Sequence, residues 1–233
     1  HDALPILAGS ASKDETRPVL TGVLLHMTKN SVRMVATDSY RLSVKETPIE
    51  ASVRDKLQVI VPGRCLTELS RIGSAVASDS VTVVPTENQI LFQVGDVFLM
   101  SRLIDGQFPN YRQLIPAASE CRATVRRDEL MEALGRVRLL AQKSSPVRLH
   151  FADGTLTISA QSQDVGAAKE SIPIVYEGEM LEIGFNPEFL LAGAAAVPDD
   201  DVDMRFISPL RPGLLRGKEE DFLYLIMPIR LTD

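Results

Sequence analysis

Gly22-Val23-Leu24-Leu25-His26-Met27, with the turn and strand Lys29-Asn30-Ser31-Val32-Arg33-Met34-Val35-Ala36 behind it, decides the fold because it occurs twice. It returns as Pro146-Val147-Arg148-Leu149-His150-Phe151, followed without a gap by Asp153-Gly154-Thr155-Leu156-Thr157-Ile158-Ser159-Ala160. Alternating apolar and polar residues around a short polar turn are the pattern of a β-hairpin. The correspondence extends both ways. Upstream, Asp2-Ala3-Leu4 falls on Glu132-Ala133-Leu134 in a helical segment. Downstream, Val61-Pro62-Gly63-Arg64-Cys65-Leu66 falls on Gly184-Phe185-Asn186-Pro187-Glu188-Phe189 and opens a second helix. Paired strands follow, Ser80 to Val84 against Asp201 to Phe206, then a last strand, Val97 to Leu103 against Phe222 to Pro228. Order, more than identity, separates this from coincidence, since five elements recur in sequence at nearly constant spacing.

The expected fold class is therefore α+β: two tandem copies of one module, each with two helices packed on antiparallel sheets. Each copy reads helix, hairpin, strand, helix, strands. The boundary falls near Pro116 to Cys121, giving domains 1–116 and 117–233. The second copy has a strand, Arg122 to Val125, ahead of its first helix, whereas the first copy begins inside the equivalent helix at His1. That asymmetry leads to the expectation of an N-terminally truncated fragment.

Composition narrows the function. With 31 acidic against 25 basic residues and a formal charge of -6, a uniformly basic nucleic-acid footprint is excluded, while a local basic patch is not. Cys65 and Cys121 are far apart, with no C-x-x-C or Cys/His spacing, so neither a zinc site nor a disulfide framework is expected. No metal or cofactor is anticipated. The longest apolar stretches, such as Phe189 to Val197, are about half the roughly 20 residues needed to span a bilayer, and a cytoplasmic protein is expected. Trp is absent and aromatics are 5%, which disfavours base-stacking platforms for single strands.

The C-terminal run Tyr224-Leu225-Ile226-Met227-Pro228-Ile229-Arg230-Leu231 is unusually apolar for a chain end. Its proline cannot donate to a sheet ladder, so the strand should end at about Pro228 and present Ile229 and Leu231 at a surface. An exposed apolar end asks for a binding explanation.

Catalytic signatures are missing. There is no G-x-S-x-G elbow, no phosphate loop and no dinucleotide fingerprint. His26 and His150 occupy equivalent strand positions, as shared architecture requires. Asp199-Asp200-Asp201-Val202-Asp203 lacks the glycine and distal glutamate of an EF-hand and reads as a solvated helix-to-strand turn. Asp38, beside Ser39 and Arg41, reads as a turn-closing aspartate next to an anchoring arginine.

Five motifs, in order, give the chain a resemblance. They are Asp14-Glu15-Thr16-Arg17-Pro18-Val19-Leu20-Thr21-Gly22, Ala36-Thr37-Asp38-Ser39-Tyr40-Arg41-Leu42, Asp105-Gly106-Gln107-Phe108-Pro109-Asn110-Tyr111-Arg112, Glu182-Ile183-Gly184-Phe185-Asn186 and Tyr224 to Leu231. With them the chain resembles the bacterial replicative sliding clamps, the beta subunits of DNA polymerase III, in their middle and C-terminal domains. The resemblance implies the DNA clamp fold and a non-enzymatic DNA-replication processivity factor. It implies a head-to-tail homodimer ring around double-stranded DNA, helices lining the hole, in which this fragment does not close a ring alone.

The resemblance also implies a hydrophobic peptide-binding cleft between the two domains. Its residues would be Arg17, Leu20, Thr37, Ser39, Tyr40, Arg41, Leu42, Pro109, Gln113, Leu114, Leu225, Ile226, Met227, Pro228, Ile229 and Arg230. Polymerase, clamp-loader and repair proteins would compete for it through short linear peptides. Clamps often carry glycine and histidine where this chain has Ser39 and Tyr40, and a second basic residue at Gln113, so the rim departs from the family pattern.

Candidates for phosphate contact are Arg64 and Arg71 on a Leu66 to Ile72 helix, with Arg136, Arg138 and Lys143 on an Asp128 to Gln142 helix. Leu130, Leu134, Val137 and Ala141 form the buried stripe of the latter. Glu132 and Arg136 make an ordinary i, i+4 pair, so a solvated surface helix accounts for this face equally well. A hydrolase with dispersed polar residues, and a peptide-binding adaptor that never meets DNA, stand as alternatives.

Overall fold

The computed structural model describes residues 3–49, 56–76, 78, 80–141, 146–152, 154–162, 166–219 and 221–231. The chain divides into two compact units, His1–Asn110 and Tyr111–Asp233.

In the first unit, helix α1 (Ala3–Ser10) and a 3-10 turn (Pro18–Thr21) precede strands β1 (Gly22–Met27), β2 (Ser31–Thr37), β3 (Arg41–Pro48) and β4 (Leu57–Pro62). Helix α2 (Gly63–Ala75) and strands β5 (Thr82–Pro85), β6 (Gln89–Val94) and β7 (Val97–Arg102) follow. The neighbours run β3-β2-β1-β4 in one sheet and β5-β6-β7 in the other, all antiparallel. Helix α2 forms on a 3.6-residue stripe: Cys65, Leu66 and Leu69 are buried, while Arg64, Thr67, Glu68 and Arg71 face solvent. The stripe joins Leu7, Val23, Leu25, Val61, Ile90 and Phe92 in an aliphatic core, each large side chain stabilising by roughly 1.5–3 kcal/mol. Helix α1 packs on α2 and is stitched to β3 by a buried hydroxyl pair, Ser10 Oγ to Ser43 Oγ at 2.5 Å.

The second unit repeats this plan with additions. Strand β8 (Cys121–Arg126) leads into helix α3 (Arg127–Val137), then β9 (Val147–Ala152), β10 (Thr155–Ser162), β11 (Gly166–Pro173), β12 (Val175–Glu177) and β13 (Leu181–Phe185). Helix α4 (Pro187–Ala196) and strands β14 (Asp201–Phe206), β15 (Gly213–Arg216) and β16 (Phe222–Ile226) complete it. The order β11-β10-β9-β13 reproduces β3-β2-β1-β4, and β14-β15-β16 reproduces β5-β6-β7, extended by β8 and β12. Asn186 caps α4, its Oδ1 accepting from the amides of Glu188 (2.9 Å) and Phe189 (3.2 Å), with Pro187 at the first helical position. The core here is more aromatic: Phe151 lies 5.0 Å from Phe206 and 5.6 Å from Tyr176, centroid to centroid.

Three expectations change. The helix read as Asp128 to Gln142 ends at Val137. Beyond it, Leu139, Leu140 and Ala141 each donate to the carbonyl three residues back, a tightening that turns Leu139 out to 78% exposure, and Gln142 lies outside the described residues. Second, the single strand expected between hairpin and second helix is two strands in the first unit, β3 and β4, and three in the second. Strand β3 runs through Lys45, Glu46 and Thr47, polar residues that mimic a loop, and it is held by pairing to β2 and by an Arg33 Nε to Glu46 Oε2 contact of 3.0 Å. That guanidinium keeps the Glu46 carboxyl below its ordinary value. Third, Ile229 and Leu231 are half-buried instead of free at a surface.

Candidate functional site

The first unit gathers Arg17, Thr37, Ser39 and Arg41 through one polar network. It begins at the turn between β2 and β3. The Asp38 carboxylate accepts from the amides of Tyr40 (2.9 Å) and Arg41 (3.0 Å) and from Arg41 Nε (2.9 Å). Thr37 Oγ1 donates to the Arg41 carbonyl (2.7 Å) and accepts from the Ser39 amide (3.1 Å). Asp38 thus closes the turn and holds the arginine, the role read for it from the sequence. Arg41 NH2 also reaches the Gly9 carbonyl at 2.6 Å, so a cation meets the last turn of α1.

The second strand of the network comes from the loop ahead of β1. Asp14 Oδ1 accepts from the Thr16 hydroxyl (2.6 Å) and amide (3.0 Å), and Asp14 Oδ2 from Arg17 Nε (3.0 Å). Those bonds, Thr16's first and then Arg17's, hold the Asp14 carboxyl below its usual range. Arg17 NH1 donates across to Ser39 Oγ at 3.0 Å, joining the two loops. Tyr40 projects beside them at 62% exposure. Leu20 and Leu42 are buried, and Pro109 is exposed on the loop after β7. Asp14 and Thr16 were not expected at the site; the Asp-x-Thr spacing, an Asx-turn signal, could have drawn attention to them.

The second unit supplies the apolar set. Leu225 and Ile226 are fully buried in β16, which ends there, two residues before Pro228. Met227 emerges at 37% exposure, and pairing resumes at Ile229, whose amide donates to the Gly184 carbonyl at 2.8 Å. Gly184 is what permits this. A Cβ there would stand 2.5 Å from Leu231 Cδ2 and 2.9 Å from the Ile229 carbonyl oxygen, so any side chain would lift the end of the chain. This seat explains why Ile229 and Leu231 are half-buried, and a glycine in a strand interior was its one sequence signal. Arg230 is exposed, as are Gln113 and Leu114 on a 3-10 turn (Tyr111–Leu114), Leu114 at 47%.

The basic residues considered for phosphate contact differ among themselves. Arg71 pairs with Glu68 (3.1 Å), Arg136 with Glu170 (2.8 Å) and Glu132 (3.5 Å), and Arg138 with Glu188 (3.2 Å). The Arg136 contact holds the Glu170 carboxyl below its ordinary value. Arg64 stands exposed in the first turn of α2, and among the described residues no carboxylate lies within ion-pair distance of it. Lys143 lies outside the described residues. Among the described residues no group of three or more His, Cys, Asp or Glu could hold a metal ion, and no helix is long and apolar enough to cross a membrane.

Comparison with known proteins is consistent along the whole chain. The family model described as DNA polymerase III beta subunit, central domain, matches residues 5–110, and that of the C-terminal domain matches residues 112–230. A beta sliding clamp of Staphylococcus aureus is 34% identical over 225 residues, 95% of this chain and 59% of the relative. The crystal structure of the DNA polymerase sliding clamp from Bacillus subtilis superposes with a TM-score of 0.92 at 32% identity, covering 99% of this chain and 62% of that one. A sliding clamp from Bartonella birtlesii, bound to griselimycin, gives a TM-score of 0.91 at 30% identity over 99% of this chain and 63% of its own. The chain thus spans less than two thirds of the length of these relatives.

Proposed function

We propose that this chain, which belongs to the DNA polymerase III beta subunit family, carries the central and C-terminal domains of a replicative sliding clamp. It acts without catalysis, in the bacterial cytoplasm, as a processivity factor: held around duplex DNA as part of a homodimeric ring, it tethers polymerase and other replication and repair proteins. The observation that carries this reading is the match of both family domains, in order, over nearly the whole chain.

Within that function, the polar network of the first unit and the apolar residues around Met227 receive one short linear peptide. Two or three apolar anchors suit Met227, whose flexible thioether side chain accepts differently shaped partners. Arg17 and Tyr40 offer donors and an aromatic face to fix the peptide's direction, and Arg41 holds the turn that carries Tyr40. A fluorescein-labelled peptide with a glutamine and spaced Leu and Phe anchors tests it by anisotropy. Met227→Ala, or removal of 229–233, is expected to weaken binding at least about tenfold, a loss of roughly 1.4 kcal/mol. Griselimycin, bound to the Bartonella birtlesii relative, is expected to compete. Unchanged affinity in both variants would sink the assignment.

DNA holding is the coarser part of the proposal and rests most on Arg64. Its replacement by Ala is expected to lower the slope of log affinity against log salt for duplex DNA by about 1. A peptide-binding adaptor that does not touch DNA is the second reading, favoured by the carboxylates that pair with Arg71, Arg136 and Arg138.

A further inference from the structure

Ser39 holds a backbone conformation that serine rarely adopts. Its φ of 82° makes it the one residue other than glycine with positive φ among the described residues. Asn, Asp and His are the side chains enriched in that region, and a serine there is strained. The strain is not imposed by the hydroxyl. The turn is closed by the Asp38 carboxylate, by Thr37 Oγ1 and by backbone amides, and a glycine at position 39 would accept the same closure without cost.

What the side chain does instead is reach another loop. Ser39 Oγ accepts from Arg17 NH1 at 3.0 Å, across 22 residues of sequence, while Asp14 Oδ2 takes Arg17 Nε at 3.0 Å. A guanidinium has five N–H donors in a rigid plane. Gripped from two sides, that plane has far less freedom to turn than one held by a single carboxylate. Arg17 keeps 42% of its side chain exposed, so the guanidinium can be reached from solvent. With Asp14 alone the contact would be an exposed ion pair within one loop, free to swing.

We propose that Ser39 is a positioning residue for Arg17, and that it sets the affinity of the site for an extended peptide by orienting that guanidinium before the peptide arrives. The proposal rests on the peptide-binding reading above. A long side chain already held in its bound rotamer spares the ordering cost that binding would otherwise carry. The matching chemistry is a peptide carbonyl or carboxylate that accepts from Arg17.

The test uses the full chain and the same labelled peptide. Ser39→Gly removes the hydroxyl and the strain together, and it is expected to bind the peptide about three- to tenfold more weakly while melting at the same or a higher temperature. Ser39→Ala is expected to show the same loss of affinity without any gain in stability. Ser39→Asn, tolerated at positive φ and carrying an acceptor oxygen, is expected to recover part of the loss. In an Arg17→Ala background the Ser39→Gly loss is expected to vanish, because the hydroxyl then has nothing to orient. Wild-type affinity in Ser39→Gly, or a loss that persists without Arg17, overturns the role of Ser39. If Arg17→Ala and Met227→Ala also bind like wild type, the site assignment itself falls and takes the Ser39 role with it.

Discussion

Strands β7 and β16 occupy the same place in the repeat and face different surroundings. In β7, Phe98 and Met100 stand 62% and 63% exposed; at the matching positions of β16, Leu223 and Leu225 are 7% and 1% exposed. Each strand pairs with its predecessor in the same way, Met100 opposite Leu91 and Leu225 opposite Leu214. Pairing to the preceding strand therefore does not by itself set how much of a strand is buried: β7 ends its sheet, whereas β16 lies inside its own. The last strand of the first unit is one-sided, whereas that of the second is buried on both faces, and Met227 and Pro228 follow directly from it. The candidate residues differ in the same way: those of the first unit are mostly polar and loop-borne, those of the second apolar and continuous with its core.

The sharpest way to break that comparison is at the inward residue of each strand. Tyr224 is fully buried against Gly193, its hydroxyl donating to the Phe189 carbonyl at 2.9 Å, and Tyr224→Ala is expected to cost about 3–5 kcal/mol in urea unfolding. Its counterpart Leu99 is only partly buried, so Leu99→Ala should cost about half as much; equal costs would erase the contrast. Next comes the seat of the C-terminal run. Gly184→Ala is expected to cost about 2 kcal/mol and to weaken peptide binding along with it, since the run is displaced as well as the strand strained. If stability falls and affinity does not, the run plays no part in the site.

In the polar half the effects are smaller. Asp38→Ala removes three hydrogen bonds at a half-buried turn and should cost about 1–1.5 kcal/mol, with a larger proportional loss of peptide affinity than of stability. The smallest effect is acid titration of Asp14. Its folded-state pKa lies below the unfolded value, so its contribution is complete above the ordinary carboxylate range and is lost as pH falls through the folded value. Peptide affinity should accordingly hold from neutral pH down to that range and drop only below it. A decline already at pH 6 would point to another group.

What could be read from the sequence follows the same division. The hairpins β1/β2 and β9/β10 and helix α2 carry alternating or striped apolar residues, and helix α4 and strand β16 carry continuous apolar runs, so they declared themselves as repeats. Strands β3 and β11 did not, because Lys45, Glu46 and Thr47 in one and Ala167 to Glu170 in the other place small or polar residues on both faces; partners, not patterning, hold them in the sheet. At the site, the Asp38 to Arg41 turn was legible because its hydrogen bonds are local. The Arg17 to Ser39 contact and the seating of Ile229 on Gly184 join segments 22 and 45 residues apart, and no local rule foretells them.

The resumption of pairing at Ile229 gives the protein an internal clock. Its amide, donating to Gly184 across a single bridge, should exchange with deuterium far more slowly than that of Arg230 beside it, yet faster than the amides inside β16. That one exchange rate times how often the end of the chain lifts from its seat. A peptide lodged against Met227 should slow it in proportion to occupancy, so binding could be followed at a backbone atom the peptide need not touch.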